Sequence, residues 1–372
     1  NEYGYVRKSH TGYATAREMR SLNIKYQNNK GEIFTNQIVT VYEQDKNKKL
    51  IPMGKIEAGK YYPIISEYGP NWWRVIFLDR IGYIKNSKVH VVNNVNLDRI
   101  IKEYKNKDTT NIIQKINPLL LTPSKNYLEV ANNILNENKY RILDYGDFKF
   151  PNDVPKWGET PSKLNESQIR SYYRGLHAHF YINDLVEAFK HTGDRKYIER
   201  GYKIIVDWIN KNPYGKAQND LAWHDEGTAR RLVTWINFYD AARGVLSLNQ
   251  QKIILESMEE HAKLLSSDRF YSALTNHGMF QDEALLVYSQ YFNTHENSII
   301  YEKLAKKRLR EYFDYIISPE GVHLEHSPAY HQIIANSVNR LKTYYENAYD
   351  INEATYYSNL YNKMVIYQTW VI

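Results

Sequence analysis

Two short segments carry the side chains best suited to chemistry: Asn276-His277-Gly278, inside the run Leu274–Ala284, and Tyr330-His331, closing the run Glu320–His331. Each sets an imidazole beside a group that can bind a carboxylate or move a proton. An Asn amide can hydrogen-bond a substrate carboxylate, and a carboxylate tied down in this way accepts developing enolate charge more easily. A tyrosine with its ordinary pKa of about 10 is a poor base unless cationic neighbours lower it. His323, His326 and His331 lie close to Tyr330 in sequence, and Arg230 or Arg231 can approach in space. Together these groups suit removal of a proton beside a carbonyl and protonation of a leaving oxygen, the two halves of a β-elimination. Both segments also read as plain helix starts. Asn276 would be an N-cap and Gly278 a point of tight approach, while Ser327-Pro328 would open a helix with Tyr330 in its first turn.

A third constellation is Trp223-His224-Asp225-Glu226, followed by Arg230, Arg231 and Trp235. If Asp225 starts a helix, Glu226 and Arg230 share one face. With Trp223 and His224 they would line a sugar subsite; equally, they would be an exposed ion pair beside core tryptophans. Glu320, Glu325, Asp282 and Glu283 raise the possibility of a glycosidase, which needs two carboxylates across one bond. Nothing in their spacing makes any two converge. The histidines lack a metal-ligand spacing such as His-Glu-x-x-His, and no glycine loop is built to cradle phosphate. Neither a metal nor another cofactor is expected.

The rest of the chain must position these groups. Its 372 residues can bury a full core. There are no cysteines, which excludes disulfides, zinc-thiolate sites and thiol nucleophiles. The formal charge of +7 favours a polyanionic partner without naming one. Tyrosine is abundant, at 34 residues, and its rings suit both sugar faces and helix packing. No apolar run is long enough to span a bilayer. The start at Asn1 suggests a mature or trimmed chain.

Residues 1–34 are polar, with no sustained period. Residues 35–93 carry short β-branched and aromatic runs, namely Gln37–Tyr42, Tyr61–Ile65, Trp72–Phe77 and Arg80–Ile84. Turn residues such as Gly54, Gly59 and Tyr68–Asn71 separate them, so the segment reads as a small β-barrel. It resembles bacterial SH3-like domains through Trp73–Phe77 and Ile81–Ile84. From about Leu97 the period becomes helical. Helices are expected over 126–137, 168–191, 195–211, 226–245, 250–266, 281–292, 296–317, 329–347 and 353–370. Asn249, Asn276, Thr294 and Ser327 stand where caps belong. Short connections imply antiparallel hairpins without strands between them.

The ordered set Tyr172–His177, His191–Tyr197, Val206–Pro213, Trp223–Glu226 with Arg230 and Trp235, Asn276–Gly278 and Ser327–His331 resembles the heparinase II/III-like polysaccharide lyases. The separation of Asn276 and Tyr330 also matches that family. The resemblance runs from about Trp157 to Tyr345. It implies a mainly α fold, an incomplete (α/α) toroid over 97–372; the SH3-like barrel in front departs from the family's usual architecture. It implies β-elimination on a uronic-acid polysaccharide by a secreted or cell-surface bacterial protein. Asn276 or His277 would neutralise the C6 carboxylate, His277 would be the base where the geometry is anti, and Tyr330 the acid and on some substrates the base. Trp223, His224, Glu226 and Arg230 would bind substrate, together with Glu325 and His331. Family members continue into a C-terminal β-sandwich that adds an active-site histidine, whereas this chain ends at Ile372 in a helical pattern; it therefore reads as truncated at that end. The partner expected is an anionic polysaccharide, with cell wall or glycan on the SH3-like module, and neither nucleic acid nor a membrane span. A non-catalytic glycan-binding protein and an (α/α)-barrel glycoside hydrolase are the alternatives.

Overall fold

The computed structural model describes residues 31–35, 37–58, 60–77, 80–92, 96–325 and 327–371. Most of the polar segment 1–34, the turn residue Gly59 and His326 lie outside them. The chain divides into two compact units, residues 1–94 and 95–372. It is mainly helical, with an antiparallel sheet in the first unit.

Seven strands build that sheet: β1 (Glu32–Thr35), β2 (Val39–Gln44), β3 (Leu50–Ile56), β4 (Lys60–Glu67), β5 (Trp72–Phe77), β6 (Arg80–Lys85) and β7 (His90–Val92). Their order is β3-β2-β6-β5-β4-β1-β7. Alternation puts Ile33, Val39, Val41, Ile56, Ile64, Val75, Phe77 and Ile84 into one core. The spacing of runs reveals β2, β4, β5 and β6 but not β1, β7 or β3, in the last of which Gly54 reads as a turn residue. Pro52 is tolerated because β3 is an edge strand, and the register slips by one residue opposite Val41/Tyr42. Gly82 lets β6 approach β2, since a Cβ there would stand 2.5 Å from Val41.

The second unit holds twelve helices among the described residues. The first five are α1 (Leu97–Tyr104), α2 (Thr110–Ile116), α3 (Tyr127–Glu137), α4 (Glu166–Ala178) and α5 (Ile182–Thr192). Then come α6 (Lys196–Lys211), α7 (Asp225–Ala242), α8 (Leu248–Ser266), α9 (Asn276–Tyr291), α10 (Glu296–Ile316), α11 (Pro328–Asn347) and α12 (Ile351–Val371). A short hairpin, β8 (Lys139–Arg141) with β9 (Asp147–Lys149), interrupts the helical run. The single helix expected over 168–191 is two helices. His179 takes a left-handed conformation at φ +61 and turns the chain between α4 and α5. The caps also move: Thr275, Ser247 and His295 cap α9, α8 and α10 in place of Asn276, Asn249 and Thr294. Helix α7 packs on α4, α8 and α9, and is buried on nearly every side.

Candidate functional site

Helices α7 and α9 start side by side, and α4 crosses beside α7. The sequence favours a start at Asp225: His224 stays extended as the N-cap residue, and the Asp225 carboxylate accepts the Glu226 N–H at 2.7 Å. Two acidic residues in the first turn suit the positive end of the helix dipole. Thr275 caps α9 by accepting the Gly278 N–H at 3.1 Å and donates to the Ser272 carbonyl at 2.8 Å. Gly278 is obligatory here, because a Cβ would lie 2.3 Å from that carbonyl oxygen. Leu274, at φ +56, bends the loop into its cap. The buried Gln281 fixes the same loop by accepting from Ser272 N at 2.8 Å and donating to Phe270 O at 3.0 Å.

This framework brings together His224, Asp225, Glu226, Arg230 and His277 of the sequence-predicted constellations, and adds Arg174 and Ser272. His277 Nδ1 lies 3.0 Å from Asp225 Oδ1, and His224 Nδ1 lies 2.9 Å from the same oxygen. Ser272 donates its hydroxyl to Asp225 Oδ2. The two imidazoles meet edge to face at 5.2 Å. His277 Nε2 stands 3.8 Å from Glu226 Oε2. Glu226 is held by Arg174, which donates to Oε2, and by Arg230 with Nε 3.7 Å from Oε1. Arg230 also lies flat over Phe280, 3.7 Å from the ring centre. Burial alone would raise the Asp225 carboxyl, but His224, His277 and Ser272 hold it well below the usual range. Its hydrogen bond to His277 raises that imidazole above its ordinary value, against burial, with the charges of Asp225 and Glu226 adding and Arg174 opposing.

Among the described residues one group of His, Asp and Glu offers donor atoms close enough for a metal ion: His224, Asp225 and His277, within 4.8 Å of one another. Two ligand atoms around one tetrahedral zinc stand about 3.4 Å apart. The 3.0 Å His277–Asp225 contact is a hydrogen bond, the 2.9 Å approach of His224 Nδ1 is too short for a shared zinc, and two arginines crowd the adjoining Glu226.

The other predicted residues lie elsewhere or stand free. The Asn276 amide makes no hydrogen bond among the described residues, although its backbone belongs to the first turn of α9. Tyr330 is 46% exposed, and its hydroxyl is likewise unengaged; neither Arg230 nor Arg231 bonds to it. Glu325 is exposed in the turn before α11. His331 is buried between α11 and α12, with Nε2 3.1 Å from the Met364 carbonyl and its ring against Tyr367. That leaves it little face for a substrate. Trp223 belongs to the core: its Nε1 donates to Asn212 O at 2.8 Å, and its ring packs on Trp208 and His261. Asp225, Arg174 and Ser272 went unremarked as site residues. Only the tertiary meeting of three separate segments marks them out, although Arg174 and Asp225 sit within motifs already singled out.

Comparison with known proteins gives a consistent answer. The profile of the family described as Heparinase II/III N-terminus matches residues 85–371. A heparin-sulfate lyase of Bacteroides stercoris is 22% identical over 240 residues, covering 59% of this chain and 35% of that protein. The chain thus spans well under half the length of this curated relative. Among solved structures, the heparan sulfate lyase HepC from Pedobacter heparinus superposes with a TM-score of 0.56 at 18% identity, over 73% of this chain and 42% of that one. A heparinase III gives 0.59 at 17% identity, over 72% and 42%. At these identities the likeness is one of fold.

Proposed function

This chain belongs to the heparinase II/III N-terminus family, and we propose that it carries the helical part of a polysaccharide lyase acting on a uronic-acid polymer of the heparan sulfate kind. In this reading the helical unit, 97–372, is an incomplete (α/α) toroid, and 35–93 is an SH3-like barrel available for glycan or cell-wall contact. The protein works outside the cell or at its surface. One observation carries the chemistry: His277 is held on an ionised carboxylate, directly beside an Asn276 amide that makes no hydrogen bond among the described residues.

The mechanism follows from what each group can do. Asn276 donates to the C6 carboxylate of the uronic acid, so that charge spreading from C5 is stabilised. His277 takes the C5 proton, and the Tyr330 hydroxyl protonates the departing oxygen. Arg174 and Arg230 beside Glu226 supply positive charge for an anionic sugar. The same geometry speaks against a glycosidase at this cluster. Asp225, pushed below the usual range, cannot be the protonated acid that such an enzyme requires.

The test is ultraviolet absorbance of the unsaturated product on a panel of uronic-acid polymers, with a folded protein and its Tyr330→Phe variant. Product is expected from the parent. Loss of on the order of 100-fold or more is expected from the variant, with unchanged helical circular dichroism. Undiminished turnover by Tyr330→Phe would remove the acid assignment. Absence of product on every polymer, with binding retained, would favour a non-catalytic glycan-binding role.

A further inference from the structure

We propose that Asp225 is a positioning residue for this chemistry: it fixes the proton of His277 on Nδ1 and so leaves Nε2 bare as the base. The inference rests on the lyase reading for its consequence and on geometry for its substance. Asp225 Oδ1 lies 3.0 Å from His277 Nδ1. An ionised carboxylate can only accept, so that nitrogen must be the donor. In the neutral ring the second nitrogen then carries the lone pair, and it is this form that acts as base. Glu226 Oε2 stands 3.8 Å from it, too far to hold it and itself engaged by Arg174.

Asp225 is itself fixed from three sides. Ser272 binds Oδ2, the Glu226 N–H binds Oδ1 at 2.7 Å, and the His224 ring packs against that same oxygen, its Nδ1 2.9 Å away but outside hydrogen-bond geometry. The loop carrying Ser272 is tied to Gln281 of α9, the helix that carries His277. The carboxylate therefore cannot swing without moving the elements that hold the imidazole.

The step balances simply. The Nε2 lone pair takes the C5 proton, and the C–H electron pair passes into the enolate of the substrate carboxylate. That pair then forms the C4–C5 double bond as the C4–O bond breaks, and the Tyr330 hydroxyl gives its proton to the leaving oxygen. His277, now an imidazolium, is stabilised by Asp225 on one nitrogen and by Glu226 facing the other. Arg174, and Arg230 through Glu226, oppose it, and His224 draws on the same carboxylate oxygen. These are the charged and titratable groups that face His277 from α4, α7 and the turn before α7.

Two substitutions test this, read by nuclear magnetic resonance titration of His277 and by the pH dependence of kcat/KM in the whole chain. Asp225→Asn keeps one acceptor oxygen for Nδ1, sets an NH2 donor against the Ser272 hydroxyl, which can turn to accept, and removes the charge. The His277 titration is expected to move down by about one unit, the acid limb of the rate profile to follow it, and kcat/KM to fall about tenfold or more. A rate loss with neither titration nor limb displaced would mean Asp225 is only structural, and the proposal would fail. His224→Gln removes the competing imidazole from Oδ1, and it guards against an Asp225 variant that does not fold. It should move the His277 titration upward; a downward or absent shift would overturn the shared-carboxylate arrangement. If no polymer yields product, the lyase reading fails by itself, and the titrations still decide where Asp225 holds the proton.

Discussion

Arg231 illustrates how much of this site depends on a residue that never touches its surface. Its guanidinium is fully buried and donates to neutral acceptors: His261 Nε2 at 2.8 Å, His177 O at 2.7 Å and Ala222 O at 2.9 Å. His261 can accept because its other nitrogen meets the Ser257 carbonyl at 2.7 Å and burial keeps the ring neutral. The charge rests on tryptophan faces, with Trp208 3.8 Å and Trp223 5.1 Å away. Ala222 lies two residues before His224, so this cation also anchors the turn that presents the site. A lysine's donors all radiate from one nitrogen and cannot reach acceptors spread over the separate Nε and Nη1 positions. Arg231→Lys is therefore expected to cost about 2–4 kcal/mol in urea unfolding, from carbonyls and an imidazole left without donors. Near-parental stability would show that the guanidinium fork is not what the core requires. The Trp223–Trp235 row reads equally as sugar-binding or core from sequence, because ring type alone cannot reveal that a buried cation lies between the rings.

At the level of elements, the glycines of α7 and α9 separate tight packing from mere propensity. A Cβ at Gly278 would strike the Ser272 carbonyl at 2.3 Å, whereas one at Gly227 would meet nothing closer than 3.7 Å. Gly278→Ala should lose about 2 kcal/mol or more and loosen Ser272 from Asp225. Gly227→Ala, inside α7, should gain roughly 0.5–1 kcal/mol from helix propensity. Thermal melts of the two variants would expose an error in either sign. Helix α5 offers a pH test. Asp184 in its first turn accepts from Ser124 N at 2.7 Å, but burial pushes its carboxyl up to about 6. A raised carboxyl binds its proton more tightly in the folded state. Its contribution is thus complete below about 3.8, its ordinary value, and is lost as pH climbs to about 6. Asp184→Asn should lose roughly 3 kcal/mol less than the parent between pH 4 and pH 7, and equal losses would refute the assignment. Helix periods were legible in the sequence because the apolar faces repeat. The break at His179 was not, because the apolar pattern runs through it without Gly or Pro. The caps of α8 and α9 were displaced by one or two positions because Asn, Ser and Thr serve that role almost equally, and that of α10 because an imidazole nitrogen of His295 accepts the Asn297 N–H instead. Asp225 reads along the chain as an ordinary first-turn acid. Its partners His277 and Ser272 reach it only through the packing of α9 on α7.

For the whole molecule, recognition can be examined separately from turnover, which matters because the chain covers only 35% of the lyase it matches in sequence. The formal charge is +7, and the candidate site adds two arginines, one of them over an aromatic ring. A sulfated or carboxylated polymer would be drawn in by that field and would displace counterions on binding, so its affinity must fall as salt screens the charge. The 34 tyrosines point the other way for a neutral glycan, since stacking on sugar faces responds little to ionic strength. Titration calorimetry with heparan sulfate is expected to show Kd weakening about tenfold or more between low-salt buffer and roughly 0.5 M NaCl. A neutral polysaccharide of similar length should bind weakly throughout. Salt-insensitive binding would shift recognition from the arginines to the rings, and the anionic-polymer assignment would go with it. A steep salt response that disappears in Arg174→Gln would locate the charge reading at the site itself.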